Sequence, residues 1–130
     1  RGRGVLFSLF FNHCLDIFYM VGDFYFLPDM LDFSGFVDGL LEKADTRHDK
    51  IDRVIAHQAS PGALAHMIKL CGFKPERVVN IASLFGNQIA ASIPFTLDYA
   101  RERKLANPGD RILLLGTSAG VSFGGIVMDL

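Results

Sequence analysis

Hydrophobic and polar residues fall into blocks along the chain, and the spacing within each block predicts the element that it forms. From Phe33 to Ala44 the apolar residues recur at helical spacing, which predicts an amphipathic helix. A charged loop follows, and "IDRVIA" after it predicts a strand. The next segment, "SPGALAHMIKLCG", predicts a helix with Ser60 as its N-cap and Gly72 just after its last turn.

The later part of the chain continues this alternation. "ERVVNI" predicts another strand, and a long helix follows from about Gln88 to Lys104. "RILLLGT" and "VSFGGIVMDL" are two strand-like runs on either side of a Ser-Ala-Gly turn. Because strands and helices alternate in this order, we expect an α/β fold built in layers.

Composition and charge narrow the classes of function. The chain has 130 residues, of which 50% are hydrophobic, and its formal net charge is −1. One domain with a substantial core is therefore expected, without a general attraction to nucleic acid or to an anionic membrane. The apolar fraction is high for an independent domain of this length, which indicates that part of the surface meets a partner or a missing half.

The cysteines and the apolar runs indicate the cellular compartment of the protein. Two cysteines, Cys14 and Cys71, do not make a disulfide framework, so a reducing environment is expected. The apolar run from Val5 to Phe11 is too short to span a bilayer. We therefore expect a cytoplasmic location.

Polar residues stand at two points where a helix is about to begin. His57 follows "IDRVIA", at the sheet edge where α/β proteins bind ligands, and the alternative is a core histidine with a satisfied hydrogen bond. Asn87 lies beside Gly86 before the long helix, where asparagine is also a common N-cap. The segment "GTSAGVSFGG" is rich in glycine, which lets a backbone approach a ligand closely, although hairpins also favour glycine.

Three motifs together resemble the C-terminal part of the β-ketoacyl-acyl-carrier-protein synthase III family, a branch of the thiolase superfamily. In chain order they are "HQAS", "GNQIAASIP" and "PGDRILLLGTSAGVSFGG". The resemblance implies the C-terminal half of a thiolase-like α/β/α layered fold with a mixed, mostly parallel sheet. Residues 33–130 would form the synthase III C-terminal domain, and residues 1–32 aromatic-rich strands of the preceding part.

The resemblance also implies roles for particular side chains. In this family a cysteine takes an acyl group from a thioester, and a histidine and an asparagine then act on malonyl-acyl-carrier protein. By motif, those two residues are His57 and Asn87. Loss of CO₂ from a malonyl thioester builds negative charge on the thioester oxygen, which an imidazole N–H and an amide N–H can both stabilise.

Other positions are implied as parts of the same site. A backbone N–H near Ala119 would help to hold the oxyanion of acyl transfer, and Gly120 would supply the sharp turn. Gln58, Lys69 and Thr117 are expected to contact substrate. No resident cofactor and no metal are implied, because coenzyme A or phosphopantetheine thioesters are the substrates. We expect His57 and Asn87 to open into one pocket beside this glycine loop.

The chain departs from the family pattern at the nucleophile and at the donor site. Cys14 lacks the small residues that surround the family's cysteine, and Cys71 is expected to be a packing residue. The nucleophile should therefore lie in an N-terminal half, on this chain or on a partner chain. Ser60 and Gly62 stand where the family often has asparagine and arginine, and Thr117 replaces an aromatic residue of some members.

The sequence thus predicts part of an enzyme that condenses an acyl thioester with malonyl-acyl-carrier protein in fatty acid or polyketide synthesis. Its expected partners are acyl-CoA and acyl carrier protein, with either a homodimer of the complete protein or an N-terminal half. One alternative is a non-decarboxylating acyltransferase of the same family. The other is a non-catalytic subunit, which the missing cysteine favours, whereas retention of both His57 and Asn87 favours the enzyme. Residues 1–130 alone are expected to be inactive.

Overall fold

The computed structural model of the protein describes residues 33–118 and 122–130. Four α-helices and three β-strands lie in this part of the chain, joined by loops that contain short 3₁₀ turns. In chain order the elements are α1 (Phe33–Lys43), β1 (Arg53–Ala56), α2 (Pro61–Cys71), α3 (Ala82–Phe85), α4 (Ser92–Glu102), β2 (Arg111–Ser118) and β3 (Ser122–Asp129).

The three strands form one mixed sheet in the order β1-β2-β3. β1 pairs in parallel with β2, so that Ala56 lies opposite Leu115. β2 and β3 pair antiparallel along their whole length, with Arg111 opposite Asp129 at the far end. The parallel pair requires a long crossover, and α2, α3 and α4 all lie within it.

Helices cover both faces of this sheet. Because successive side chains of a strand point to opposite faces, Val54 packs in the core with α1 and α2, whereas Ile55 packs in a second core with α4. Along β2, Leu113 and Ile112 divide in the same way. The result is a helix–sheet–helix layering, as expected for an α/β fold.

Several sequence predictions are confirmed at the level of single residues. The Ser60 hydroxyl accepts a 3.1 Å hydrogen bond from the backbone N–H of Ala63 and caps α2. Gly72 ends the same helix in the left-handed conformation, with φ of 67°. The two terminal strand-like runs pair as expected. Residues 1–32, including the aromatic-rich strands expected there and Cys14, lie outside the described residues.

One helix boundary and one strand differ from the predictions. The helix expected from about Gln88 begins only at Ser92, because Ile89–Ala91 forms a 3₁₀ turn. The strand predicted at "ERVVNI" is wrong: a 3₁₀ turn occupies Pro75–Arg77, and only an isolated parallel bridge joins Val78 to Val54. Beyond that bridge, the buried Gln58 side chain hydrogen-bonds the backbone of Val79 and Ile81, where a longer strand would otherwise have done so.

A carboxylate–guanidinium pair holds the end of the sheet opposite His57. The Arg111 guanidinium donates two hydrogen bonds to Asp129, at 2.7 Å and 3.2 Å, and so joins β2 to β3. The backbone N–H of Arg111 donates to the Asp52 carboxylate at 2.8 Å. Hydrogen bonding to the Arg111 guanidinium lowers the pKa of the Asp129 carboxyl, and burial opposes this only in part.

Replacing Asp129 with Asn is expected to weaken the acid dependence of folding. A carboxyl whose pKa is lowered by folding stabilises the protein above its unfolded pKa, about 3.9. That contribution is lost as pH falls through the folded value. Urea unfolding of the purified protein from pH 7 to pH 3 should therefore give a shallower loss of stability for Asp129→Asn than for the parent. Asp98→Asn, an exposed carboxyl on α4, is the control, and equal slopes for Asp129→Asn and the parent would contradict the expectation.

Gly125 of β3 lies where the sheet meets α1 without room for a side chain. A Cβ atom at this position would overlap the Leu40 side chain, which is itself buried, and would crowd the carbonyl oxygen of Leu114 at 3.3 Å. Gly125→Ala should therefore lower the free energy of unfolding by about 1–3 kcal/mol.

The matched control for this substitution is Gly116→Ala, on the neighbouring strand. A Cβ atom there meets only ordinary contacts, the nearest being the Ile93 side chain at 3.6 Å. Chemical denaturation of both variants measures the difference. If Gly125→Ala were as stable as Gly116→Ala, the packing of α1 on β3 would be looser than described.

Candidate functional site

An apolar pocket of about 270 Å³ opens at the carboxyl end of β1. Aliphatic, aromatic and small side chains from α1, α2 and the β2–β3 pair form most of its wall, and the polar side chains are two histidines and a threonine. The lining residues are Phe33, Ala56, His57, Ala59, Ala63, Leu64, His66, Met67, Leu70, Leu115, Thr117 and Phe123. A pocket of this kind suits an apolar ligand that also presents one or two polar groups.

The backbone of His57 is fixed on both sides. Its N–H donates a 2.8 Å hydrogen bond to the carbonyl of Leu115, which extends the β1–β2 pairing one residue beyond the strand. Its carbonyl accepts a 2.9 Å bond from the N–H of Ala59. The side chain is half-buried at the pocket wall, and within residues 33–118 and 122–130 its ring makes no hydrogen bond. Among the described residues, no group satisfies the ring in the way that a core histidine would require.

Gln58 occupies the opposite face of the sheet and is completely buried. Its side-chain N–H groups donate to the carbonyls of Ala56 at 2.9 Å and Val79 at 3.1 Å. Its side-chain oxygen accepts from the N–H of Ile81 at 2.9 Å. We expected Gln58 to contact substrate, and this is corrected: the amide is committed to backbone groups and has no exposed surface.

Gln58 is also tied to the start of α4. The Gln58 backbone N–H donates a 2.7 Å hydrogen bond to the hydroxyl of Ser92, the first residue of that helix. The Thr96 hydroxyl donates to the Ser92 carbonyl at 2.6 Å, and both side chains are fully buried. Sequence reasoning missed Ser92, although its place at the end of "GNQIAAS" was the available signal.

Asn87 lies in the exposed loop between α3 and α4. Its side-chain oxygen accepts a 2.8 Å hydrogen bond from the backbone N–H of Ile89, so the carbonyl end of the amide is occupied. The amide nitrogen has no hydrogen-bond partner among the residues that the structure describes, and remains the donor end. Asn87 does not line the pocket that contains His57. Their convergence on a single oxyanion therefore stays a prediction.

The remaining predicted residues divide between the pocket and the surface. Thr117 lies near the end of β2 and lines the pocket, as a substrate contact requires. Lys69 is exposed on α2 and is not part of the lining. Ala119 and Gly120 lie outside the described residues. Cys71 is buried in the main core, in agreement with a packing role.

His66 of α2 is exposed and also lines the pocket, which the sequence did not indicate. The signal that could have found it is helical spacing. Ala63, His66, Met67 and Leu70 recur at intervals of three and four on α2, so they share one face of the helix. A histidine in the middle of such a face lies next to the pocket that the face lines.

Two kinds of site are absent from the described part of the chain. Residues 33–118 and 122–130 contain no group of three or more histidine, cysteine or acidic side chains that could hold a metal ion. Within the same residues, no helix is long and apolar enough to cross a membrane.

The layered fold and the motifs on it define a class, the thiolase-like synthases. A solved 3-oxoacyl-[acyl-carrier-protein] synthase III from Aquifex aeolicus matches 75% of this chain at a TM-score of 0.71 and 27% identity, over 32% of its own length. The Pseudomonas aeruginosa enzyme, FabH, matches 74% of this chain at 0.70 and 27% identity, over 30% of its length. A Xanthomonas campestris structure, OleA, matches 73% at 0.68 and 28% identity, over 29% of its length.

The sequence profile described as 3-oxoacyl-[acyl-carrier-protein (ACP)] synthase III C terminal matches residues 41–130. The chain belongs to this family. A β-ketoacyl-[acyl-carrier-protein] synthase III of Streptomyces coelicolor is 36% identical over 87 residues, which is 67% of this chain and 26% of the relative. The chloroplastic synthase III of Arabidopsis thaliana is 34% identical over 92 residues, 71% of this chain and 23% of that protein. The chain thus spans about a quarter of the length of these relatives.

The loop that carries Asn87 contains a strained residue. Ile89 has φ of 53°, in the left-handed region that β-branched residues avoid, and its side chain is 76% exposed. Ile89→Asn should relieve this strain and raise the free energy of unfolding by about 1 kcal/mol, because asparagine tolerates the left-handed region. Thermal unfolding of the purified protein measures the change.

Ala90→Asn is the matched control, since Ala90 is the exposed neighbour with an ordinary φ. It should leave the midpoint unchanged or lower it slightly. A stability gain at Ala90 equal to that at Ile89 would show that asparagine helps for a reason other than the backbone conformation.

Proposed function

We propose that the protein is a synthase III-type acyltransferase of fatty acid synthesis, which condenses an acyl thioester with malonyl-acyl-carrier protein. The observation that carries the proposal is His57, held at the end of β1 in the wall of an apolar pocket, inside the segment that matches the family profile. The substrates would be thioesters of coenzyme A or phosphopantetheine. A resident cofactor is not part of the proposal.

The chemistry needs donors at one oxygen atom. When the bond between the malonyl α-carbon and its carboxylate breaks, CO₂ leaves and the electron pair moves towards the thioester oxygen as an enolate. The acyl group has by then passed to the nucleophilic cysteine, with release of the donor thiol; the α-carbon attacks the carbonyl of this acyl-cysteine, and the cysteine thiolate departs. A fixed donor at the enolate oxygen typically lowers the barrier by about 3–4 kcal/mol, so two donors supply a large part of the acceleration.

His57 and Asn87 are suited to this task by their local bonds. The His57 main chain is fixed through Leu115 and Ala59, and its ring nitrogens are not used by the described residues. The bond from the Ile89 N–H to the Asn87 oxygen fixes which end of that amide can donate. Each residue therefore presents a donor that no described protein group occupies.

Several apolar side chains around Asn87 are open to solvent, which supports a covering partner. Leu84, Phe85 and Phe95 are each at least 40% exposed, and the rings of Phe85 and Phe95 contact each other edge to face. Exposed apolar groups packed together in this way are typical of interaction surfaces. We propose that an N-terminal half, on this chain or on a partner chain, covers them and supplies the nucleophilic cysteine. A homodimer of the complete protein and a cytoplasmic location are also proposed.

A second candidate function is acyl transfer without decarboxylation. It is favoured by the start of α2, where the Ser60 hydroxyl is used as the helix cap and Gly62 offers no side chain to hold a donor's phosphate. Assays with malonyl and with simple acyl thioesters distinguish the two functions, because only the decarboxylative condensation releases CO₂ from the malonyl thioester.

His57→Ala and Asn87→Ala in the native protein should each lower kcat for malonyl-thioester decarboxylation by about 10²–10³-fold. The reason is that each removes one donor from the enolate oxygen. Release of CO₂ from a labelled malonyl thioester is the measurement.

The expected intact mass of the native protein is more than twice the 14.4 kDa of this chain.

The control is His48→Ala, because His48 bonds Asp38 at 2.7 Å and does not line the pocket. It should retain the parental rate. Decarboxylation that survives both His57→Ala and Asn87→Ala would contradict the donor roles. Turnover by a stable monomer of residues 1–130 would contradict the need for an N-terminal half.

A further inference from the structure

We propose that Gln58 is the positioning residue that sets His57 and Asn87 relative to each other. The proposal rests on the function proposed above. The Gln58 side chain does not contact substrate. Its hydrogen bonds would determine the distance and orientation between the two donors, His57 and Asn87.

The first support is where the bonds of Gln58 go. The residue is next to His57 in the chain, so any shift of its backbone moves the imidazole. Its side chain binds Ala56 on β1, the strand that presents His57. The same amide binds Val79 and Ile81, which lead directly into α3.

The second support is that Gln58 holds the Asn87 segment at both ends. Residues 82–91 run between Ile81 and Ser92, and Asn87 lies near the middle. Ile81 is bound by the Gln58 side chain at 2.9 Å, and Ser92 is bound by the Gln58 backbone at 2.7 Å. One residue is therefore bonded to both ends of the loop that carries the amide donor.

The third support is the free-energy cost of burying a polar side chain at the position of Gln58. Gln58 is 0% exposed, and a buried amide contributes favourably only when its groups are paired. An apolar side chain of the same size would fill the space but would leave the Ile81 N–H and the Val79 carbonyl without this partner. A fully satisfied buried network fixes one arrangement of the segments that it joins.

The consequence for the reaction is a sensitivity of kcat to Gln58. A displacement of about 1 Å between reacting groups can cost on the order of 10²-fold in rate. Gln58→Met keeps the size of the side chain and removes its amide. Ser92→Ala removes the single hydroxyl that accepts from the Gln58 backbone, and is the milder change if Gln58→Met folds poorly.

The test measures malonyl-thioester decarboxylation by the native protein and its variants, at a temperature where unfolding curves show each to be folded. We expect Gln58→Met to lower kcat by about 10–100-fold with KM within about threefold, because positioning for the transition state is lost while binding remains. Ser92→Ala should lower kcat by a smaller factor in the same pattern. Val37→Ala, a fully buried substitution on α1, controls for loss of stability and should retain the parental kcat.

A double-mutant cycle separates positioning from a general structural effect. If Gln58 acts through Asn87, then Gln58→Met should cost less than about threefold in an Asn87→Ala background. Equal losses in the two backgrounds, or parental kcat in folded Gln58→Met and Ser92→Ala, would overturn the positioning role while leaving the proposed function intact. Absence of decarboxylation by the unsubstituted protein would overturn the proposed function and the positioning role together.

Discussion

The buried amide of Gln58 is the interaction on which the arrangement of the site depends. The chain runs beside β1 for one parallel bridge at Val78 and then leaves the sheet, so the backbone groups of residues 79–81 lose the partners that a longer strand would give them. Gln58 supplies those partners from its side chain. Because an unpaired buried peptide group costs about 1–3 kcal/mol, the amide satisfies the end of this segment and fixes its path at the same time.

The chain leaves the strand after Ala56, which explains why adjacent residues have such different surroundings. Beyond the strand end, His57 lies at the pocket lined by α1 and α2, and Gln58 lies on the side covered by α4. The pair thus connects the two sides of the sheet. Under the proposed function, Gln58 would link the pocket to the core that supports the Asn87 loop through its own hydrogen bonds.

The sequence predicted best what local bonds determine. The ends of α2 followed from Ser60 and Gly72, whose capping interactions lie within a few residues of each other. The missing strand at "ERVVNI" and the role of Gln58 could not be predicted, because both depend on hydrogen bonds between residues more than twenty positions apart. A polar residue after a strand has the same pattern whether it meets a substrate or a buried backbone.

The two proposed donors differ in how completely the described residues fix them. His57 continues a paired strand and is held by the sheet itself, whereas Asn87 is in a loop anchored at its two ends, beside exposed apolar side chains and the strained Ile89. A loop held only at its ends keeps conformational freedom in its middle, and restricting it requires contacts along its length. Gln58 therefore sets the path of the Asn87 loop, and under the proposed function the covering N-terminal half restricts the rest. Packing of the N-terminal half would then supply the nucleophile and fix the position of Asn87 in the same step.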